Sequence, residues 1–465
     1  YRAINAFASD EIKNCYLPKM VSGIWSGTMC LTEPQCGTDL GLIRSKAVLN
    51  EDGTYAISGT KIFITAGEHD LTENIIHLVL ARLPDAPEGI KGISLFLVPK
   101  FIPTDDGEAG ARNPIRCARI ESKMGIKASA TCEINLDSAT GWLIGEPHKG
   151  MRAMFTMMND ARLGVGIQGL GIGESAYQAA VEYARDRRQG RSLTGARYPE
   201  QSADPLLVHP DIRRTLLTMR AFTEGARALA VWIGRQIDIR DHSENAEQRK
   251  QADDLVQLLT PLVKSYLSEV GHDVAQMAVQ VYGGHGYIRD NGVEQYARDA
   301  RIAMIYEGAN GIQALDLVGR KLPQDNGKYI LEFLGLISKF IKENKELDSG
   351  FQTEFLDPLS QAVSDLQSAG EYFLISGQKN PLNVLAGSSD FMHLFGHVCL
   401  GFMWARMAKS ALHCLSSDLD DAAFYETKLK TGRYYMKRHL PTTSLHLTRI
   451  KSGAECVMAL EPEAF

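Results

Sequence analysis

Ile43-Arg-Ser-Lys-Ala-Val-Leu-Asn-Glu-Asp-Gly-Thr-Tyr-Ala-Ile-Ser-Gly-Thr-Lys-Ile-Phe-Ile-Thr65 decides the character of the first third of this chain. It holds three short β-type runs, Ile43–Leu49, Tyr55–Ile57 and Ile62–Thr65. Asp52-Gly53, between the first two, is a hairpin signal, because these residues tolerate the turn's positive φ angles. Runs of the same kind follow at Ile75–Ala81, Ile93–Val98 and Thr131–Leu136, punctuated by Gly, Pro, Asn and Asp. Several short strands at close spacing imply an antiparallel barrel or sandwich over residues 26–145, not βαβ units.

On the N-terminal side, residues 1–25 read as helical, with Ile4, Phe7, Ile12 and Leu17 apolar and Pro18 near the end. On the C-terminal side the period changes at Met151 and stays helical. Met151–Asp186 carries Gly164, Gly166, Gly169, Gly171, Gly173, Ala176, Ala179 and Ala180, small residues that allow close helix packing. Pro210–Ile239, Gln248–Tyr282 and Gly311–Leu322 are further helices, and Gly283, Gly284 and Gly286 interrupt them. Residues 328–465 add helix-compatible sequence broken near Gly350, Pro381 and Pro441. The α+β organisation expected is therefore a helical start (1–25), a β-domain (26–145), a helical bundle (146–325) and a helical extension (326–465).

Bulk properties narrow the function classes. At 465 residues the chain has room for about three domains of roughly 150 residues. Its net charge of -6, with Lys and Arg spread along the chain, offers no basic block for a phosphate backbone, so nucleic acid is excluded as a partner. Cys15, Cys30, Cys36, Cys117, Cys132, Cys399, Cys414 and Cys456 lie far apart with no CxxC spacing, as in a reduced intracellular chain, and no zinc site is expected. The most apolar late stretch, Phe391–Trp404, is too short to span a bilayer, and Tyr1–Ala6 lacks the apolar run of a signal peptide. The chain reads as soluble, and as a processed or truncated product because it lacks an initiator Met. No GxGxxG following a strand, Walker loop, HExxH or GxSxG is present.

Several stretches carry candidate chemistry, each with a plainer explanation beside it. In Met29-Cys-Leu-Thr-Glu-Pro-Gln-Cys-Gly-Thr-Asp39, Pro34 pushes Glu33 into an extended conformation and Gly37 permits a tight backbone approach. Thr32, Thr38 and free N–H groups would then line a polar ligand, although a strand entering a turn explains the same residues. In Gly59-Thr-Lys-Ile-Phe-Ile-Thr-Ala-Gly67, alternation puts Ile62 and Ile64 on one face and Lys61, Phe63 and Thr65 on the other. An aromatic beside a hydroxyl suits a flat ring with polar edges, and a half-buried strand fits as well. In Tyr306-Glu-Gly-Ala-Asn-Gly-Ile-Gln313, Glu307 at a helix start satisfies the macrodipole. Alternatively Gly308 turns the Glu307 N–H into a cavity walled by Ile305 and Tyr306, where a desolvated carboxylate becomes basic enough for carbon-acid chemistry. Arg185-Asp-Arg-Arg-Gln-Gly-Arg191 is either a solvated basic face or a pyrophosphate seat. Gln280-Val-Tyr-Gly-Gly-His-Gly286 is a glycine-rich helix end whose simplest explanation is a C-cap, with His285 a loop histidine.

Taken in order, these motifs, with Asn159-Asp-Ala-Arg162 and Tyr183-Ala-Arg-Asp-Arg187, resemble the acyl-CoA dehydrogenase family from residue 1 to about 320. The extension and the closing Met458-Ala-Leu-Glu-Pro-Glu-Ala-Phe465 resemble its long bacterial subgroup, which includes 3-methylmercaptopropionyl-CoA dehydrogenases. The resemblance implies a helical, β, helical domain order with most of the first helical domain missing here. It implies FAD as cofactor, an acyl-CoA substrate and Glu307 as catalytic base. Met29, Leu31, Thr32, Phe63 and Thr65 match residues at the flavin ring, and Gly37 and Thr38 match the turn touching flavin phosphate or coenzyme A. Arg187, Gln189, Gln280, Gly283 and Gly284 match adenine-dinucleotide contacts made across a dimer interface, and Ala309 stands where a flavin-contacting Thr is common. Asn159, Arg162, Tyr306 and Gly308 fall at substrate positions.

The reaction implied is α,β-dehydrogenation of a thioester, 3-(methylthio)propanoyl-CoA by subgroup resemblance or a straight-chain acyl-CoA as alternative. An acyl-CoA oxidase would share the same residues, and a non-catalytic scaffold would keep them as relics. Electron-transfer flavoprotein is the acceptor and a homodimer the assembly that the resemblance implies, in a bacterial cytoplasm or, in a eukaryote, the mitochondrial matrix.

Overall fold

The structure, a computed structural model, describes residues 1–417 and 421–465. Two compact units divide it, 1–161 and 162–465, the division falling inside one long helix, α3 (Gly150–Asp186).

Unit 1 opens with helices α1 (Arg2–Phe7) and α2 (Asp10–Val21), the second capped by Ser9 and running three residues past Pro18. Strands β1 (Trp25–Cys30), β2 (Lys46–Leu49), β3 (Tyr55–Thr65), β4 (Asn74–Arg82) and β5 (Ile93–Pro99) follow. The β6–β7 ribbon (Phe101–Pro103, Ala109–Arg112), β8 (Ile115–Ile120) and β9 (Thr131–Ile144) complete the β-region. Pairing runs β4–β2–β3–β9–β5 and returns to β4, so the sheet closes into a barrel, with β1 and β8 added on β4 and β9. Closure removes the open edges that a flat sheet would expose. Asp52-Gly53 does turn the β2–β3 hairpin, with Gly53 at φ +83°.

One expectation fails here. The sheet is mixed, not antiparallel throughout: β1 runs parallel to β4 in register Trp25↔Asn74 to Cys30↔Val79. Strands far apart in sequence pair here, and spacing between neighbouring runs carries no information about such pairs. Ala47, Ile57, Ile64, Val79, Phe96, Val98, Ile134 and Leu136 fill one apolar cluster of the β-region. A second cluster packs Ile4, Tyr16 and Leu17 of α1 and α2 against Trp25, Leu78, Leu80, Leu95 and Leu97.

Unit 2 is helical: the rest of α3, α4 (Pro210–His242), α5 (Ala246–Tyr282), α6 (Val293–Arg301), α7 (Asn310–Asp316) and α8 (Lys328–Asn344). A short α9 (Ser349–Phe351) runs through a π-turn into α10 (Asp357–Lys379), and α11 (Leu382–Ser416), α12 (Ala422–Arg438) and α13 (Thr442–Lys451) follow. α11 is apolar on every side because it is enclosed, its Phe391–Ala405 stretch buried almost throughout. Among the described residues no helix is long and apolar enough to cross a membrane. α3 lies close against α5 through part of its glycine row. A Cβ on Gly169 would sit 2.7 Å from the backbone of Leu267 and Ser268, whereas Gly164 and Gly171 meet nothing within 4 Å. Of the glycines expected to pack, only Gly166, Gly169 and Gly173 touch that helix, as 3.6-residue periodicity requires of one face.

Candidate active site

Glu307 lies on the connection into α7 with φ +57°, and Gly308 follows at φ +85°. A non-glycine residue in the left-handed region costs of order 1–3 kcal/mol and persists only where its surroundings enforce it. Two devices enforce it. Gln313, fully buried, donates Nε2 to the carbonyl oxygens of Glu307 and Gly308, both at 3.3 Å. A Cβ at position 308 would sit 2.5 Å from that Nε2, so the turn needs glycine for space as well as for φ. Asn310, the first residue of α7, is anchored on α5: Oδ1 accepts from Lys264 Nζ at 2.8 Å, and Nδ2 donates to Glu269 Oε1 at 2.8 Å. Ala309 is the N-cap of α7, its carbonyl accepting from Ile312 and Gln313.

The Glu307 carboxyl is largely buried, and that burial raises its pKa against the opposing pull of Arg162 and Lys264. Among the described residues none donates a hydrogen bond to this carboxylate, and no acceptor takes the Glu307 backbone N–H. A half-desolvated carboxylate with free lone pairs, beside a free N–H, can accept a proton while that N–H steadies a nearby oxygen. Burial, reinforced by Arg162, lowers the Lys264 ammonium to about 8, against the raising effect of Glu307 and Glu269.

The expected apolar wall is only partly there. Ile305 is half exposed, and Tyr306 hydrogen-bonds through its hydroxyl to Gln168, so the tyrosine brings a polar edge. Of the two residues matched to coenzyme A positions, Arg162 is buried and 3.5 Å from Asp316 Oδ2, while Asn159 is exposed. Lys264, Gln313 and Glu269 escaped sequence reading. The one signal was a lysine inside the apolar run Leu258–Leu267, a position where a charge is costly.

At the far end of unit 2's helices two motifs converge. Tyr183 of α3 stacks on Tyr282 of α5 at 4.0 Å, and Tyr183 Oη is 3.2 Å from His285 Nδ1. This stacking brings the Arg185–Arg191 segment beside the Gln280–Gly284 helix end. Gly283 caps α5 at φ +59°, and Gln280, Gly283 and Gly284 are exposed. The arginines divide in role. Arg191 is taken by Asp204 at 3.3 Å, and Arg188 lies over Tyr198 at 5.2 Å. Asp204 is held down to about 2, chiefly by the N–H groups of Ser192, Tyr198 and Arg197. Arg187 has no acidic partner among the described residues, and the exposed Gln189 uses only its backbone locally, accepting His209 Nε2 at 2.7 Å.

In unit 1 the strand predicted to alternate does not. β3 shifts register between Lys61 and Ile64, and Phe63 takes φ +59°. The bulge puts Lys61 and Ile64 inside and leaves Phe63 61% exposed with Thr65 beside it, so Lys61 and Phe63 do not share a face. Lys61 Nζ pairs with Glu33 Oε1 at 2.9 Å and bonds the Leu31 carbonyl at 3.0 Å, while Thr32 O accepts from Ile62 N at 2.9 Å. The buried pair thus ties the Met29–Thr32 segment to β3. Met29, Leu31 and Thr32 are half-buried, and Gly37 and Thr38 are exposed. Gly37 is not in the left-handed region and meets nothing within 4 Å in the chain, so the close approach expected of it is not made to the protein. Among the described residues no cluster of three metal-ligating side chains occurs.

Family models match three consecutive regions: "acyl-CoA dehydrogenase, middle domain" at 28–139, "acyl-CoA dehydrogenase, C-terminal domain" at 148–322, and "acetyl-CoA dehydrogenase C-terminal like" at 333–461. The chain is 43% identical to a 3-methylmercaptopropionyl-CoA dehydrogenase of Ruegeria pomeroyi, over 98% of this chain and 76% of the relative. It is 35% identical to a butyryl-CoA dehydrogenase of Syntrophomonas wolfei, over 98% of this chain and 76% of that relative. In fold it is similar to ACDH-11 of Caenorhabditis elegans, solved in complex with C11-CoA, with TM-score 0.79 and 20% identity over 98% of this chain and 72% of that one. A helical connection carrying a buried glutamate, a barrel displaying an aromatic at a bulge and these matches along the whole length agree: the chain belongs to the acyl-CoA dehydrogenase family of FAD-dependent oxidoreductases.

Proposed function

We propose that Glu307 is the base that removes the α-proton of an acyl-CoA thioester, in a dehydrogenation giving the trans-2-enoyl-CoA. One observation carries the reading: a carboxylate raised by burial and, among the described residues, free of hydrogen bonds, held on a strained turn whose own N–H has no acceptor there. A thioester α-carbon is a very weak acid, so the oxygen of the developing enolate must be stabilised as the proton leaves. The Glu307 N–H is placed to supply part of that, each such donor being worth on the order of 10²–10³ in rate. Arg162 and Lys264 favour the ionised carboxylate, the form that takes the proton, against the burial that raises it. When bound, FAD supplies the acceptor for the β-hydrogen, leaving as hydride.

The residues present fit that cofactor. Phe63 and Thr65 offer an exposed aromatic and hydroxyl suited to a ring, with Met29, Leu31 and Thr32 on the neighbouring segment. Arg187, lacking an acid partner, and the open helix end at Gln280, Gly283 and Gly284 suit phosphate and adenosine groups, with Gln189 beside Arg187 and Ala309 a secondary contact. Thr38, Asn159, Tyr306 and Gly308 are the residues we assign to acyl-CoA. We also infer the domain division of 26–145, 146–325 and 326–465, a homodimer, and electron-transfer flavoprotein as the acceptor of electrons. The substrate we favour is 3-(methylthio)propanoyl-CoA, from the relative at 43% identity, with butyryl-CoA the competitor from that at 35%.

An anaerobic visible spectrum titrated with both thioesters tests the reading. Loss of the oxidised-flavin band is expected, faster with the 3-methylthio compound. Glu307→Gln is expected to keep its FAD and to lose about 10²–10⁴-fold in the rate of that bleaching. Bleaching at the wild-type rate would remove Glu307 from the role.

A further inference from the structure

One built polar cluster is not used by this mechanism. Behind the Glu307 turn, the Asn310 carboxamide is gripped by α5 through Lys264, Glu269, Ser268 Oγ at 3.2 Å and the Ser265 carbonyl at 3.2 Å. The second carboxylate oxygen of Glu269 is bonded to His393 Nε2 on α11. The His393 ring lies 5.4 Å from that of His446 on α13, whose Nδ1 is 2.8 Å from Asp390 Oδ1. Side chains of the C-terminal extension therefore reach, through one carboxylate, the amide that starts α7, three residues beyond Glu307.

Packing does not call for this arrangement. Its neighbours along α5 and α11, Leu267, Val270, Leu394 and Phe395, are buried and apolar, whereas Glu269 and His393 keep part of their surface exposed, where an ion pair contributes little to stability. What it does is restrict one degree of freedom. Asn310 makes hydrogen bonds through both ends of its amide, so it cannot rotate without breaking bonds on α5, and the preceding Glu307 and Gly308 must keep their positive φ angles. Gln313 holds the carbonyl side of the same turn, but nothing in Gln313 fixes where the turn lies along α5.

We propose that Glu269 and His393 are positioning residues for the dehydrogenation, holding the Glu307 turn in register through Asn310, so that the C-terminal extension takes part in the reaction and not in packing alone. The inference rests on the reading of Glu307 as the base. His393 orients the Glu269 carboxylate, Glu269 orients Asn310, and Asn310 fixes the carboxylate and N–H that meet the substrate. Small displacements at such a site are expensive: about 1 Å of misplacement costs up to roughly 10²-fold in rate.

The test uses the full-length holoenzyme and stopped-flow anaerobic reduction by 3-(methylthio)propanoyl-CoA or butyryl-CoA, whichever reduces the wild type faster. Glu269→Ala and His393→Ala are expected to lower the limiting rate by about tenfold or more, with apparent substrate affinity and FAD per protein little changed. His393→Gln, which retains an N–H donor toward Glu269, is expected to recover most of the loss. Glu269→Gln, which keeps its shape and an acceptor for Asn310 but not its charge, should be only a few-fold slow, and this variant decides the matter if the alanine forms do not fold. A limiting rate within twofold of wild type in the folded variants would overturn the inference. So would a loss that appears in FAD content or substrate affinity instead. Glu307→Gln run in parallel separates the two readings: if it stops reduction while the Glu269 and His393 variants do not slow it, only the positioning role fails.

Discussion

Each unit buries one lysine completely, and both pull a neighbouring carboxylate toward its charged form, but only one of them outweighs burial. In unit 1, Lys61 touches Glu33 at 2.9 Å, and Glu33 also accepts from Arg44 N at 2.7 Å, Ser45 N at 3.0 Å and Ser45 Oγ at 2.6 Å. Burial alone would raise the Glu33 carboxyl, but Lys61 and these donors outweigh it and bring it down to about 2. In unit 2, Lys264 bonds a neutral amide, Asn310, and acts on Glu307 only through space. Burial then wins, and the Glu307 carboxyl is raised. Direct contact locks a carboxylate as a permanent anion that holds a loop. A cation bonded to an amide instead, and acting on the carboxylate only through space, leaves that carboxylate raised by burial.

Three experiments can break that comparison. The largest effect belongs to Lys61→Met, which leaves Glu33 charged and buried. It should cost about 3–5 kcal/mol, read from urea unfolding followed by tryptophan fluorescence. Since the folded pKa of Glu33 is depressed, its stabilisation is present above 4.5 and lost as pH falls from there to about 2. The deficit of the variant should therefore shrink in acid, and a deficit independent of pH would show that packing alone was lost.

Next in size, Lys264→Met removes one of the two cations opposing the rise of Glu307. The acid limb of the flavin-reduction rate should move to higher pH, so that the rate along that limb falls roughly threefold to tenfold at a given pH. An unmoved limb would mean that Arg162 alone sets the charge of Glu307.

The smallest effect concerns stability at Glu307 itself. Its raised pKa means that its contribution is complete at acid pH and lost as pH rises through the folded value. Glu307→Gln should then equal the wild type in acid and exceed it by about 0.5–2 kcal/mol at higher pH, the stability cost typical of a functional group. Equal stability across the range would show that the wild-type turn pays nothing for its charge.

Much of this was legible beforehand. The hairpin at Asp52-Gly53 and the helices from Met151 onward follow from local turn chemistry and periodicity, which a chain displays residue by residue. The Glu307-Gly308 turn before a helix is a local pattern, but that pattern equally fits a glutamate serving the helix dipole, and the reading of Glu307 as a base came with the resemblance of the motifs to a family. The placing of Lys61 was not legible, because the bulge between Lys61 and Ile64 adds a residue to one strand and takes Lys61 off the face that Phe63 and Thr65 share. The burial of Arg162 against Asp316, 154 residues away in sequence, could not be read from a single motif either.

The amino-acid sequence by itself determined the order of β and helical regions, the turn residues and the identity of the acid at position 307, since these depend on neighbours within a few bonds. Only the tertiary structure decided that β1 joins β4 in parallel and that Lys61 pairs with Glu33 while Lys264 stands off from Glu307. It alone connected His393 to Asn310 through Glu269. The reason is physical: a pKa and a strained turn depend on desolvation and on charges brought within a few ångströms, and those distances exist only once separate stretches of chain have packed together.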